Sequence, residues 1–121
     1  MTKKILVVED NQVVADMMQK ILVHLGYDFI AATNGKQGVN MAASQLPDLI
    51  LLDISLPEMD GFSVARQIRQ NPKTHSIPIL AATGRALFED QEACLQNGCD
   101  DYISKPFTPK QLASRIKKLL M

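Results

Sequence analysis

Five residues from four widely separated places in the chain occupy one kind of position. Glu9-Asp10 follows the apolar run Ile5 to Val8, and Asp53 follows Leu49 to Leu52. Thr83 follows Ile79 to Ala82, and Lys105-Pro106 follows the segment Asp101 to Ser104. If those runs are neighbouring strands, three carboxylates, a hydroxyl and an ammonium meet at one rim. Three adjacent carboxylates repel, since two unit charges ~4 Å apart cost roughly 4 kcal/mol at an effective dielectric of ~20. A proton or a cation relieves that repulsion. A small set of oxygen ligands with room for water suits magnesium better than calcium or zinc, and the rim offers no His or Cys. Magnesium held by so few protein ligands keeps positions open for phosphoryl oxygens. Lys105 then meets the other oxygens as a point charge and Thr83 as a hydroxyl donor. Two roles stay open for Asp53: a ligand only, or a nucleophile that takes a phosphoryl group as an acyl phosphate. Taken singly, Asp10 or Asp53 is equally well explained as a helix cap. The set of five is what points to chemistry.

The elements that must position these residues are legible from the apolar pattern. Ile5 to Val8, Phe29 to Ala32, Leu49 to Leu52 and Ile79 to Ala82 are too short for buried helices. They also lack the alternation of half-wet strands, as expected for a parallel sheet covered on both faces. Asp101 to Ser104 is a fifth strand whose mixed polarity suits a sheet edge. Between them, three- and four-residue apolar spacing predicts helices over Gln12 to Leu25, Gly35 to Ser44, Gly61 to Gln70, about Phe88 to Asn97 and Pro109 to Leu120. In the first of these, Met17 and Met18 are both expected to pack in the core. Gly38 weakens the second, because a glycine inside a helix costs up to ~1 kcal/mol. Thr108, Pro109 and Gln111 read as a capping box opening the last helix. Strand and helix repeat five times, which implies right-handed crossovers and an α/β, doubly wound, five-stranded parallel sheet. The expected strand order is 2-1-3-4-5, with the ligand site beyond the C-terminal ends of strands 1 and 3.

Composition narrows the function classes. The 121 residues suit one domain, taken as 1–121, and 13 Lys and Arg balance 13 Asp and Glu. A general nucleic-acid binder or a polybasic membrane-surface module needs a basic surplus. The four-residue run Ile5 to Val8 is shorter than a signal peptide's ~7–15 apolar residues or a membrane helix's ~20. A cytoplasmic chain is expected, with no membrane partner and no direct nucleic-acid contact. Cys94 and Cys99 match no zinc spacing and read as packed small hydrophobes. His24 and His75 fall away from the rim.

Four motifs in order carry a family resemblance. They are Ile5-Leu6-Val7-Val8-Glu9-Asp10-Asn11; Asp48 through Leu52-Asp53-Ile54-Ser55-Leu56-Pro57-Glu58-Met59-Asp60-Gly61; Ile77 through Ala82-Thr83-Gly84; and Gly98 through Tyr102-Ile103-Ser104-Lys105-Pro106-Phe107. Across its whole length the chain resembles the response-regulator receiver domains of two-component signalling, of the single-receiver, chemotaxis-regulator-like kind. The 2-1-3-4-5 order is itself known for a member of that family. The resemblance implies that Asp53 accepts a phosphoryl group from a phosphohistidine. It implies that Asp10 binds magnesium directly and Glu9 mainly through water, with Asp53 and the Ser55 backbone carbonyl as further ligands. It assigns Lys105 to the phosphoryl group, Pro106 to a cis peptide bond, Pro57 and Gly61 to the shape of the loop after Asp53, and Thr83 and Tyr102 to a coupled switch. An ordinary edge-strand aromatic is the plain alternative for Tyr102. Arg85, two residues past Thr83, either reaches over the site and screens water or points into solvent.

The resulting expectation is a magnesium-dependent phosphorelay receiver, a phospho-accepting switch that assists its own phosphorylation and dephosphorylation and is not a metabolic enzyme. Two rivals stay open: an aspartate-nucleophile phosphatase and a phosphorylation-independent interaction module. The phosphatase typically needs an acid two residues after the nucleophile, where this chain has Ser55. Expected partners are a sensor histidine kinase or histidine phosphotransfer protein, and a downstream protein reached through the fourth helix, fifth strand and fifth helix. A phosphorylation-dependent homodimer is also allowed. Five acids and no Lys or Arg lie between Ala86 and Asp101, and five bases and no acid between Tyr102 and Met121. This predicts opposed surface patches, either merely solvated or steering a partner or a symmetric dimer.

Overall fold

The computed structural model describes residues 2–56, 59–84 and 88–121. Five strands alternate with five helices: β1 (Lys4–Val8), α1 (Gln12–His24), β2 (Asp28–Ala32), α2 (Gly35–Gln45), β3 (Leu49–Asp53), α3 (Gly61–Gln70), β4 (Ile79–Thr83), α4 (Phe88–Gln96), β5 (Asp101–Ser104) and α5 (Pro109–Leu120). The strands form one parallel sheet in the order β2-β1-β3-β4-β5, as the sequence predicts. Among the described residues no helix is long and apolar enough to cross a membrane.

Side chains alternate across each strand, and the core divides accordingly. Ile5, Val7, Leu49, Leu51, Leu80 and Ile103 face α1 and α5. Leu6, Val8, Ile50, Leu52, Ile79 and Ala81 face α2, α3 and α4. Both faces being covered, the buried residues of β1, β3 and β4 are apolar up to Asp53 and Thr83 at the C-terminal ends of β3 and β4, and β5 at the edge keeps polar residues.

Local structure has visible causes, and the expected capping box is one of them. Asn11, Asn34, Asp60 and Thr108 cap α1, α2, α3 and α5 by accepting from backbone N–H groups of the first turn, and Thr108 with Gln111 completes the capping box. Gly98 ends α4 at a φ of +104°, where the Gly98 and Cys99 N–H groups bond back to Leu95 and Cys94. Gly38, which looked unfavourable in a helix, sits where a Cβ would fall 2.9 and 3.0 Å from the Val8 methyls. The glycine lets α2 lie directly on β1.

Two expectations need correction. Met18 is buried, but Met17 is 43% exposed, because it lies at the edge of the apolar arc of α1 while Ala15 supplies the opposite side of the buried face. The predicted acidic and basic patches are also partly cancelled. Asp100 pairs with Arg69 on α3 at 2.6 Å, and Asp101 pairs with Arg115 on α5 at 2.9 Å. Arg69 also donates to the carbonyls of Gly98, His75 and Ile77, clamping the segments that enter β4 and β5 at the sheet end opposite the acidic rim. Cys94 and Cys99 are buried thiols packed in the core, as expected.

Candidate phosphoryl and metal site

A parallel sheet brings all its C-terminal strand ends to one side, and here that side carries the charged residues. Asp53 is the last residue of β3; Glu9 and Asp10 follow β1 directly. One carboxylate oxygen from each of the three lies within 4.8 Å of the others. Glu9 and Asp53 are almost completely buried, while Asp10 is exposed. Lys105, just past β5, reaches in from the side. Its Nζ stands 2.9 Å from Glu9 Oε1 and 3.4 Å from Asp53 Oδ1.

The backbone holds the two buried acids in place. The Asn11 N–H donates to Glu9 Oε2, so the residue that caps α1 also orients Glu9. The Ser55 N–H donates to Asp53 Oδ1 at 3.0 Å. Oδ1 therefore carries both the Ser55 and the Lys105 contacts, and Oδ2 takes part in neither. Gly61 closes the loop after β3, with its N–H on the Ile54 carbonyl. A Cβ there would lie 2.6 Å from Ile54 Cα and 2.7 Å from the Asp53 carbonyl oxygen, so only glycine fits without moving the chain that carries Asp53. The Lys105–Pro106 bond is cis, as the resemblance implies. The Lys105 N–H bonds the Thr83 carbonyl at 2.7 Å, tying the ends of β4 and β5 together.

Electrostatics follow from this packing. Burial pushes the Glu9 carboxyl above its ordinary 4.5, and Asp53 adds to that, while Lys105 and the Asn11 N–H pull the other way. Burial pulls the Lys105 ammonium down, but the hydrogen bond to Glu9 and the charge of Asp53 outweigh it and hold it above its ordinary 10.5. Three carboxylates face one ammonium, a formal surplus of two negative charges. An all-oxygen donor set with that surplus fits a hard divalent cation, and magnesium fits better than a metal that prefers nitrogen or sulfur.

Thr83 is buried at the end of β4. Tyr102 is half-buried, and its register partner is Ala81. Since Ala81 and Thr83 share a face, Thr83 and Tyr102 point to the same side of the sheet on adjacent strands. Pro106 is exposed on the rim, and His24 and His75 lie away from it, as expected. Pro57 and Arg85 lie outside the described residues. Sequence reading did not single out Asn11 as an orienter of Glu9, although an Asn just ahead of a helical pattern is a recognisable cap. It also did not find the Arg69 clamp or the Asp101–Arg115 pair, which join residues distant in sequence.

Comparison with known proteins points to one family. Residues 5–117 match the response regulator receiver domain model. The chain is 40% identical over 120 residues to the alkaline phosphatase synthesis transcriptional regulatory protein PhoP of Bacillus subtilis, covering 99% of this chain and 49% of that protein. It is thus similar to about half of PhoP's length. It is 35% identical to the polar-differentiation response regulator DivK of Brucella ovis, covering 99% of this chain and 98% of DivK. Among solved structures, the receiver domain of the sensor histidine kinase PA1611 from Pseudomonas aeruginosa PAO1, with a magnesium ion coordinated in its active-site cleft, superposes with a TM-score of 0.92. That domain is 38% identical, with 99% of this chain and 98% of the other covered.

Proposed function

The chain belongs to the response regulator receiver domain family, and from that premise we propose that it is a magnesium-dependent phospho-accepting switch with Asp53 as the acceptor. The observation that carries this reading is the convergence of Glu9, Asp10 and Asp53 within 4.8 Å of one another, with the Lys105 ammonium among them.

Glu9, Asp10, Asp53 and the Ser55 carbonyl would hold the magnesium. The ion supplies charge neutralisation at the phosphoryl oxygens. The chain's own residues do the rest. Asp53 Oδ2, outside the contacts that hold Oδ1, attacks the phosphorus of a phosphohistidine on a sensor kinase or phosphotransfer protein. The new O–P bond forms as the P–N bond breaks, and its electron pair leaves with the imidazole nitrogen. Lys105, held by Glu9 and Asp53, meets the transferred group as a point charge. Hydrolysis reverses the modification when water attacks the same phosphorus.

The acyl phosphate brings roughly −1.5 to −2 charge and new acceptor oxygens. Thr83, at the adjacent strand end, moves its hydroxyl toward them. The Tyr102 ring, on the same sheet face, turns inward into the space that movement opens. Phosphorylation thereby shifts a two-state population. The altered surface of α4, β5 and α5 is the seat for a downstream protein target, and residues 1–121 act as one receiver unit in the cytoplasm.

Incubation with acetyl phosphate or a phosphorylated histidine kinase, with and without magnesium, tests the reading. An acid-stable, base-labile adduct that requires magnesium and is absent in Asp53→Asn is expected. An unmodified wild type overturns it, as does rapid multiple turnover of small phosphate esters.

A further inference from the structure

Arg115 stands out because it leaves its own helix face to embrace the edge strand. Strand β5 is the last of the sheet, so among the described residues one of its sides has no partner strand. Its ladder to β4 uses alternate residues, as the bond from the Lys105 N–H to the Thr83 carbonyl illustrates, which leaves the Tyr102 N–H and carbonyl on the free side. Both are met by side chains. The Tyr102 N–H donates to Asp101 Oδ1 at 2.8 Å, and Arg115 Nη1 donates to the Tyr102 carbonyl at 3.1 Å. The same Nη1 donates to Asp101 Oδ1 at 2.9 Å, closing a small ring of contacts around the Tyr102 backbone. The guanidinium carbon then lies 5.8 Å from the centroid of the Tyr102 ring, within cation–π range.

We propose that Arg115, anchored by Asp101, is a positioning residue that holds the Tyr102 ring in its resting place and so sets how much of the unphosphorylated protein adopts the switched conformation. The proposal rests on the reading of Tyr102 as the mobile half of the switch. An inward turn of the ring removes it from the guanidinium, so the contact weights the resting state. Asp101 cannot follow such a movement, because it is buried at the start of β5 and its Oδ2 already lacks a hydrogen-bond partner among the described residues. The anchor stays while the ring departs. Because Arg115 belongs to α5, the departure also uncovers the anchored guanidinium on the proposed output face.

The chain has only two tyrosines, Tyr27 and Tyr102, so 3-fluorotyrosine labelling gives two fluorine resonances, assigned with Tyr102→Phe. Beryllofluoride with magnesium serves as the phosphoryl stand-in. Wild type, Arg115→Met and the double variant Asp101→Asn/Arg115→Met are compared; the double variant removes the carboxylate charge that Arg115→Met leaves unpaired. In both variants without beryllofluoride, the Tyr102 resonance is expected to move toward the saturated wild-type position. The switched population should rise about two- to fivefold, the equivalent of one exposed cation–π contact, and beryllofluoride should bind tighter by a similar factor. If the wild-type Tyr102 resonance ignores beryllofluoride, the switch reading falls and the latch falls with it. If wild type responds but both variants start from the wild-type position and bind beryllofluoride equally, the latch alone is overturned. A lower urea midpoint without those changes assigns Arg115 a purely structural role and refutes the proposal.

Discussion

The exposed acid of the cluster offers the sharpest test of why these residues are together. Asp10 makes no side-chain hydrogen bond or ion pair among the described residues, so replacing it with Asn removes repulsion and no visible support. Its carboxylate lies within 4.8 Å of those of Glu9 and Asp53. Each such pair costs about 1 kcal/mol in water and roughly 3–4 kcal/mol at an effective dielectric of ~20. Asp10 faces solvent, so values near the lower figure apply, and its two pairs together come to about 2 kcal/mol. In EDTA, Asp10→Asn should therefore be more stable than wild type, with its urea midpoint higher by about 1 M for a slope of ~2 kcal/mol per molar. In magnesium the order reverses. At a hundredfold excess over its dissociation constant, magnesium adds about 2.7 kcal/mol to wild type, and little to the variant. The measurement is a pair of urea titrations followed by circular dichroism. An unchanged or lower midpoint for Asp10→Asn in EDTA refutes the repulsion argument. An equal gain from magnesium in both proteins removes Asp10 from the ligand set.

Other perturbations follow from single contacts. Lys105→Met leaves buried Glu9 without its ammonium and should destabilise the metal-free protein at neutral pH by roughly 1–3 kcal/mol, less than for a fully buried pair because Lys105 is partly exposed. Glu9 already titrates above its ordinary 4.5, so its protonation favours the folded state as pH falls. The deficit of Lys105→Met in EDTA should shrink toward pH 4.5, and a deficit independent of pH contradicts the pairing. Gly61→Ala places a Cβ against the backbone of Ile54 and Asp53 and should cost roughly 1–3 kcal/mol; it should also slow acetyl phosphate labelling of Asp53, and normal labelling would show that the loop yields. Thr108→Ala removes the α5 cap and should cost about 1 kcal/mol by urea denaturation, with labelling unchanged.

What could be read from the sequence was whatever depends on local pattern. Continuous apolar runs identified the interior strands because a sheet covered on both faces leaves them no wet side, and mixed polarity placed Asp101 to Ser104 at the edge. Glu9, Asp10, Asp53 and Lys105 were legible as one cluster because parallel strands end on the same side. Met17 was misplaced because three- and four-residue spacing defines a wide arc, and only packing decides which flank is covered. The opposed charge patches were overdrawn for a different reason. Counting charges along the chain does not reveal that Arg69 and Arg115 cross from other elements to neutralise Asp100 and Asp101. Gly38 looked like a defect in a helix until the closeness of Val8 supplied its reason.

The bridge between Lys105 and Glu9 spans 96 of the 121 positions in this sequence, and on the proposed reading that span governs when the protein can respond. While the polypeptide is being made, the acids near its beginning and middle emerge well before the lysine that completes their site. An unfinished chain therefore presents Asp53 without its cationic partner, and on the proposed reading it should accept a phosphoryl group poorly. The same span makes phosphate acceptance a report on global integrity. Unzipping β5 from the sheet edge withdraws Lys105 from two carboxylates at once, so on the proposed reading a frayed molecule should lose phosphate acceptance before it loses most of its core.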